Sequence, residues 1–467
     1  MADRNRELAM NTVILGIGQL IPKFLAVILL PILTTYLSMD EYGNYDLILS
    51  VASLLIPIVT LQIQQAVFRY LLSSTRKIDK SRFVTSAISY ILISSAICYP
   101  IVFIFLKRMN LGTLNSVLIC VLFYSEAMYT LLGQIVRGLG FNIKYSVSVV
   151  VYSTVNLLFT AFLLVILHLG LEGIIVSLAV SYLSADLYMI VASGMLKYYK
   201  INCVNKASLT QLLKFSAPIV PSSVALWVVN LSDRLIIIHF MGAAANGIYA
   251  VANKIPSLYS TAYNIFNLAW TETAARVSDD GNPAEYYTKL FHALFDFLIG
   301  VMLGLIAATP LIFKVLVKGN YGEAFYQVPI LYFGIFFNSL VNFYSGIYIA
   351  LKRTKQVGYS SVAGAILNVL INIFLIKEIG LYAASISTAL SFLIIALYRA
   401  YDLGKVIKIK YSLKDILLGM SCFTIASGFL LLNNFLLLLA CWIIAICYNM
   451  KRNMPLLKKI VRKFMKH

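Results

Sequence analysis

The sequence predicts an all-α polytopic membrane protein with fourteen transmembrane helices, arranged as two six-helix lobes related as parallel repeats and followed by two C-terminal helices. Three observations carry this expectation. The 467 residues are 60% hydrophobic and only 12% charged, with a mean hydropathy of +0.86, which a soluble globular chain does not tolerate. Runs of about 20 apolar residues, the length that crosses a hydrocarbon core of about 30 Å, recur along the whole chain between short polar breaks. Basic residues collect predominantly on alternate connections, as the positive-inside rule requires of a multi-pass protein.

In chain order the expected spans are 12–36, 46–67, 83–106, 113–136, 145–168, 171–194, 212–239, 247–270, 290–313, 325–350, 357–376, 380–398, 413–432 and 433–450. Only Asn433-Asn434 separates the last two. The domain reading is an N-terminal lobe at 1–200, a C-terminal lobe at 201–410, two extra helices at 411–450 and a basic amphipathic tail at 451–467. In that tail Leu457, Ile460, Val461 and Phe464 share one helical face against a lysine- and arginine-rich one, a pattern suited to lying on anionic lipid. A disordered basic tail has the same composition.

With the N-terminus inside, thirty of the thirty-eight basic residues fall in cytoplasmic segments, Arg69 and Arg399 among them, and five fall outside. Both termini are then cytoplasmic, and the formal charge of +19 is a topology signal rather than a nucleic-acid surface. Outer connections are too short to hold a domain that could do chemistry. Six cysteines without ligand spacing read as small buried hydrophobes, and no metal site is expected.

A repeat links the halves. Gly43-Asn44-Tyr45 after the first outer turn is matched by Gly247-Ile248-Tyr249, and Ile21-Pro22 by Val220-Pro221. An even number of helices per repeat keeps both in one orientation, which implies an axis along the membrane normal and a site near the midplane. Prolines fall inside the spans of both halves, among them Pro22, Pro31, Pro57 and Pro100, then Pro218, Pro221, Pro256 and Pro310. Interrupted helices of this kind mark transport sites, although proline also kinks membrane helices for packing alone.

Ionisable residues within the spans carry the chemistry, because each costs roughly 2.5–3.5 kcal/mol at a helix centre. Lys23, Arg234 and Lys254 would suit an anionic substrate, with Asn230 one turn before Arg234 and Asn253 beside Lys254. The plainer reading pairs Lys23 with Glu126 or Asp186. Glu126, Asp186 and Asp296 either bind H⁺ or Na⁺ to drive a cycle or serve as fixed counter-ions; no other cofactor is expected. The amides Asn338, Asn342, Asn368 and Asn372 could contact sugar hydroxyls or bond one another between helices.

TYLSMDEYGNYDL after the first helix, LQIQQAVFRY with Gln65 and Arg69, Asp233-Arg234, HFMGAAANGIYAVANKIP and the Asn267 to Trp270 stretch NLAW together resemble the polysaccharide-export branch of the multidrug/oligosaccharidyl-lipid/polysaccharide (MOP) exporter superfamily. The resemblance spans essentially the whole chain. It implies two lobes forming a V around a cavity. It also implies alternating access and outward flipping of undecaprenyl-diphosphate-linked oligosaccharide across the bacterial plasma membrane, without covalent chemistry. A cationic cavity for the diphosphate is part of the same implication, which gives Lys23, Arg234 and Lys254 that role and leaves Arg69 to a cytoplasmic gate or headgroup. Implied partners are the lipid-linked oligosaccharide, membrane lipids and other polysaccharide-assembly proteins. The lipid II flippase branch is similar but carries arginines in its first helix, where this chain has one lysine. A multidrug antiporter would more naturally carry a carboxylate there, and a glycan polymerase or ligase would need a sizeable outer loop.

Overall fold

In a computed structural model, which describes residues 21–108, 112–277, 283–351 and 353–455, the chain is helical and has no strand among those residues. Eleven helices of the described residues are long and apolar enough to cross a membrane by length and composition. The chain divides into two compact units, Met1–Arg234 and Leu235–His467.

The first unit contains α1 (Ile21–Tyr36), α2 (Met39–Thr60), α3 (Ile63–Ser73), α4 (Lys77–Arg108), α5 (Thr113–Gly138), α6 (Asn142–Ala161), α7 (Gly170–Ser193), α8 (Lys206–Ser216) and the first part of α9 (Val220–Met241). The acidic turn that the sequence repeats is a helix start. Ser38 accepts from the Glu41 backbone, and the Glu41 carboxylate receives the Ser38 backbone N–H at 2.9 Å, a capping box that satisfies donors otherwise left bare. The other oxygen of Glu41 accepts from Leu171 N at 3.2 Å, so one carboxylate starts α2 and ties it to the first turn of α7. Gly170, at φ +56°, lies so close to Glu41 Oε1 that a Cβ would collide with it. Ile63, Val67 and Leu71 of α3, Val84 and Ile91 of α4, Leu131, Leu132 and Ile135 of α5 and Met189 of α7 form one buried apolar cluster.

Two expected spans are broken. The span 46–67 starts earlier, at the Ser38 cap, and ends at Leu61 and Gln62, which stand at φ 44° and 56° between α2 and α3. Non-glycine residues rarely adopt that conformation. Thr60 Oγ1, itself bonded to Ile56 O at 2.8 Å, accepts from Gln62 N at 3.2 Å and bridges the gap. The span 212–239 is likewise divided into α8, a 3₁₀ turn Ala217–Ile219 and α9. Pro218 lies in that turn and Pro221 in the first turn of α9. Neither interrupts a helix, because proline is pre-organised for a helix start and lacks only an N–H that would be unpaired there.

The second unit contains the rest of α9, with α10 (Ala243–Val277), α11 (Pro283–Leu316), α12 (Ala324–Ala350), α13 (Thr354–Ile379), α14 (Tyr382–Gly404), α15 (Leu413–Leu432) and α16 (Phe435–Tyr448). Here α12 is the most enclosed apolar helix, packed on α10 and α14. Trp270 of the NLAW stretch donates to Phe343 O at 2.9 Å and lies over Gly346, so this motif residue is packing between α10 and α12. At the C-terminus Asn433 takes φ 47° as the cap of α15, and Asn434 caps α16 through Leu436 N at 3.0 Å. These are therefore two helices joined by a tight turn. The tail beyond residue 455 lies outside the described residues, as do residues 1–20. The repeat is visible in the helix starts, since α2 begins at Met39 and α10 at Ala243, the same separation as that of Gly43 and Gly247.

Candidate functional site

Helix α9 docks along α2 by three polar rungs. Gln62, at the break, donates through Nε2 to Ser223 Oγ at 2.9 Å. Trp227 donates to Ser50 O at 2.7 Å, and Arg234 donates through Nε to Asp46 Oδ2 at 2.9 Å. The Arg234 and Asp46 side chains are 13% and 11% exposed, so the ion pair is largely removed from solvent and its geometry matters more than a surface pair's would. Gln64 adds a bond to Gln62 at 3.0 Å. A broken helix is tolerated at membrane depth only where neighbouring polar groups satisfy the freed backbone; Thr60 Oγ1 does this for Gln62 N, while the Gln62 side chain joins the break to Ser223.

A second polar site is enclosed within the same unit. Glu126 of α5 and Asp186 of α7 each bury a carboxylate oxygen that has no hydrogen-bond partner among the described residues. Around them Tyr129, Tyr152 and Tyr182 pack ring to ring, with centroids 4.6 to 5.6 Å apart. Glu126 is within electrostatic reach of Tyr152 and Tyr182, and Asp186 of Tyr129 and Tyr124. Two carboxyl groups among tyrosines, in an interior that penalises unpaired charge, can hold a proton or a monovalent cation.

The remaining expected residues are dispersed. Lys23 is exposed on α1, and Arg69 is exposed on α3. Lys254 of α10 is half-buried, and Asn253 spends its amide on Tyr249 O, one turn back, at 2.9 Å. Asn230 lies in α9, and its side chain is outside the described set. Asp296 of α11 is engaged: Tyr448 donates to it at 2.8 Å, Arg452 lies 4.0 Å away, and its backbone oxygen receives Asn453 Nδ2 at 3.1 Å. The amides of α12 and α13 bond protein partners, Asn342 to Asn338 at 3.3 Å and Asn368 to Thr388 at 3.1 Å. Sequence reasoning missed Asp46 and Gln62. Asp46 sits at the edge of an expected span, where an acidic residue reads as interfacial, while the polar run LQIQQ inside an apolar helix was the available signal for Gln62. It also placed Arg399 in a cytoplasmic loop, whereas the structure buries it within α14 at 1% exposure.

A family model described as polysaccharide biosynthesis protein matches residues 8–273, more than half of the chain. The chain belongs to that family. Among solved structures, the fold is similar to that of the lipid II flippase MurJ in an inward closed conformation, with a TM-score of 0.74 at 14% identity over 96% of this chain and 100% of that one. An inward-facing multidrug resistance MATE transporter of the MOP superfamily follows, at 0.65 and 12% identity over 84% and 98%. A MOP superfamily transporter from Pyrococcus furiosus, whose structure is described as showing a binding pocket of reverse polarity, gives 0.55 at 12% identity over 84% and 95%. Comparison with curated proteins finds no significant match. This member of the polysaccharide biosynthesis family is thus a multi-pass membrane protein with the fold of MOP superfamily proteins, and the solved structures it is similar to are described as a flippase and transporters.

Proposed function

We propose that the protein is a flippase that carries undecaprenyl-diphosphate-linked oligosaccharide repeat units from the cytoplasmic to the outer face of the bacterial plasma membrane by alternating access, with both termini cytoplasmic. The observation that carries the reading is the family match over residues 8–273, joined to the full-length likeness to a flippase of another lipid-linked precursor. The alternating bodies are the lobes at 1–200 and 201–410, with 411–450 appended and the basic tail at 451–467 on the inner leaflet. Lys23, exposed on α1, offers its charge to the diphosphate; Lys254 supplies further positive potential, Arg234 meets the substrate as a guanidinium whose charge Asp46 already offsets, and Asn230 and Asn253 face the glycan. Arg69 meets the incoming headgroup. Cations offset the desolvation of a diphosphate, and the polyprenyl tail stays in lipid. Glu126 and Asp186 couple the cycle to H⁺ or Na⁺, because an unpartnered buried carboxyl can change occupancy where a paired one such as Asp296 cannot do so cheaply.

Reconstitution in liposomes tests this. A lipid-linked oligosaccharide should become accessible on the opposite face, and small cationic drugs should not move. The second reading, a multidrug or cation antiporter, is supported by the likeness to the MATE transporter and predicts the reverse outcome.

A further inference from the structure

The second unit carries a buried arginine that makes no direct contact with a carboxylate among the described residues. Arg399 donates through Nε to Ser360 Oγ at 2.9 Å, through one terminal nitrogen to Val341 O and Ser345 Oγ, and through the other to Val357 O and Ser361 Oγ. All five donors are engaged, yet every acceptor is neutral, and no ion pair joins it among the described residues. Asp402, three residues further along α14, accepts from the Tyr348 hydroxyl at 2.8 Å and keeps its own charge. The hydrogen bonds of Arg399 are complete without a direct ion pair, which is a costly state for a buried cation.

Directly outside Ser360 a groove of about 350 Å³ runs between α13 and α14, lined among others by Tyr359, Ser360, Gly364, Leu367, Ile395 and Tyr398. Gly364 leaves the floor to the Ile395 side chain, so the inner length of the groove is apolar. Its mouth is different. Tyr359 and Tyr398 flank it at 73% and 48% exposure. Exposed Lys355 stands one turn before Tyr359, on the same face of α13. On α14, Tyr401 follows Tyr398 by one turn, and Lys405 places its ammonium 4.4 Å from the Tyr401 ring. Tyrosines and flexible lysines at the end of a hydrophobic span belong at the level of lipid headgroups, and basic pockets between such helices take anionic ones.

We propose that the basic end of the α13–α14 hairpin binds an anionic phospholipid, with an acyl chain in the groove and the phosphate between Lys355 and Lys405. Arg399 does not touch the lipid; its positive charge beneath Ser360 adds to the potential at the mouth. Charge complementarity selects the occupant, because the groove's apolar length suits any acyl chain while its rim suits only a negative headgroup. The proposal is independent of which substrate the protein transports.

The test is lipid retention by the purified full-length protein, read by native mass spectrometry after exchange with equal amounts of phosphatidylglycerol and phosphatidylcholine of identical chains. The wild type should retain phosphatidylglycerol several-fold over phosphatidylcholine and should gain thermal stability from it. The Lys355→Ala/Lys405→Ala double variant, which changes exposed residues only, should lose that preference while keeping its elution volume. Gly364→Leu, which fills the groove, should lower retention of both lipids. Equal retention of the two lipids by the wild type, an undiminished preference in the double variant, or the same stabilisation from inorganic phosphate alone would overturn the proposal.

Discussion

Two carboxylate sites, one in each unit, are built in opposite ways. In the first, Glu126 and Asp186 each leave an oxygen without a hydrogen-bond partner among the described residues, amid stacked tyrosines. In the second, Asp296 is bonded by Tyr448, faced by Arg452 and tied through its backbone to Asn453, while Arg452 also meets Asp415. One arrangement leaves carboxylate oxygens unbonded among the described residues; the other uses the same chemistry to hold α15 and α16 against α11. A carboxylate inside a membrane protein is thus not by itself a coupling residue, and its partners decide which it is.

The sharpest way to break this comparison is Glu126→Gln with Asp186→Asn. Transport in liposomes should fall to the background of empty vesicles and lose its response to an imposed ion gradient, at unchanged expression and melting temperature. Retained gradient-driven transport would make both residues structural. Next comes the ion pair on α9. Breaking a buried pair by removing one partner costs about 3–5 kcal/mol, so Asp46→Ala and Arg234→Ala should each destabilise the protein strongly. In a double-mutant cycle the combined variant should recover part of that loss. Export should stay absent wherever Arg234 is removed, even in the partly restabilised double variant; export there would confine Arg234 to holding α9 on α2.

Asp296→Asn should behave in the contrary sense to the first variant. The loss of one charge-assisted contact is expected to cost about 1.5–3 kcal/mol, seen as a lower melting temperature, with transport per folded molecule preserved. Tyr448→Phe removes a single hydrogen bond to the same carboxylate and should cost about 1.5 kcal/mol, the lower end of that range. If either variant abolishes transport without loss of stability, the division between idle and engaged carboxylates fails. Lys23→Ala carries no expected change in stability, because Lys23 is exposed, and so reports on substrate alone through the transport rate.

Much of the helical pattern was legible in the chain because apolar run length is a local property. The two breaks were not. Leu61 and Gln62 are ordinary helix residues, and they adopt positive φ only where Thr60 bridges the backbone and Ser223, far along the chain, receives the Gln62 amide. Arg399 shows the same limit from the other side, since a terminal arginine after an apolar run reads as a loop residue until five neutral acceptors from α12 and α13 close around it. The acidic EYG turn was visible as a motif, but only the fold shows Glu41 spending both oxygens on helix starts.

The sequence by itself determined the membrane class, the repeat that sets Gly43 against Gly247 and the family, because composition, spacing and motif are written in the order of residues. Tertiary structure alone decided which ionisable groups are spent and which remain available. Asp46 takes Arg234, and Tyr448 with Arg452 takes Asp296. Among the described residues, Glu126 and Asp186 are left with unbonded oxygens, because pairing inside a bilayer depends on which helices meet, and that is a long-range outcome no single stretch of chain encodes.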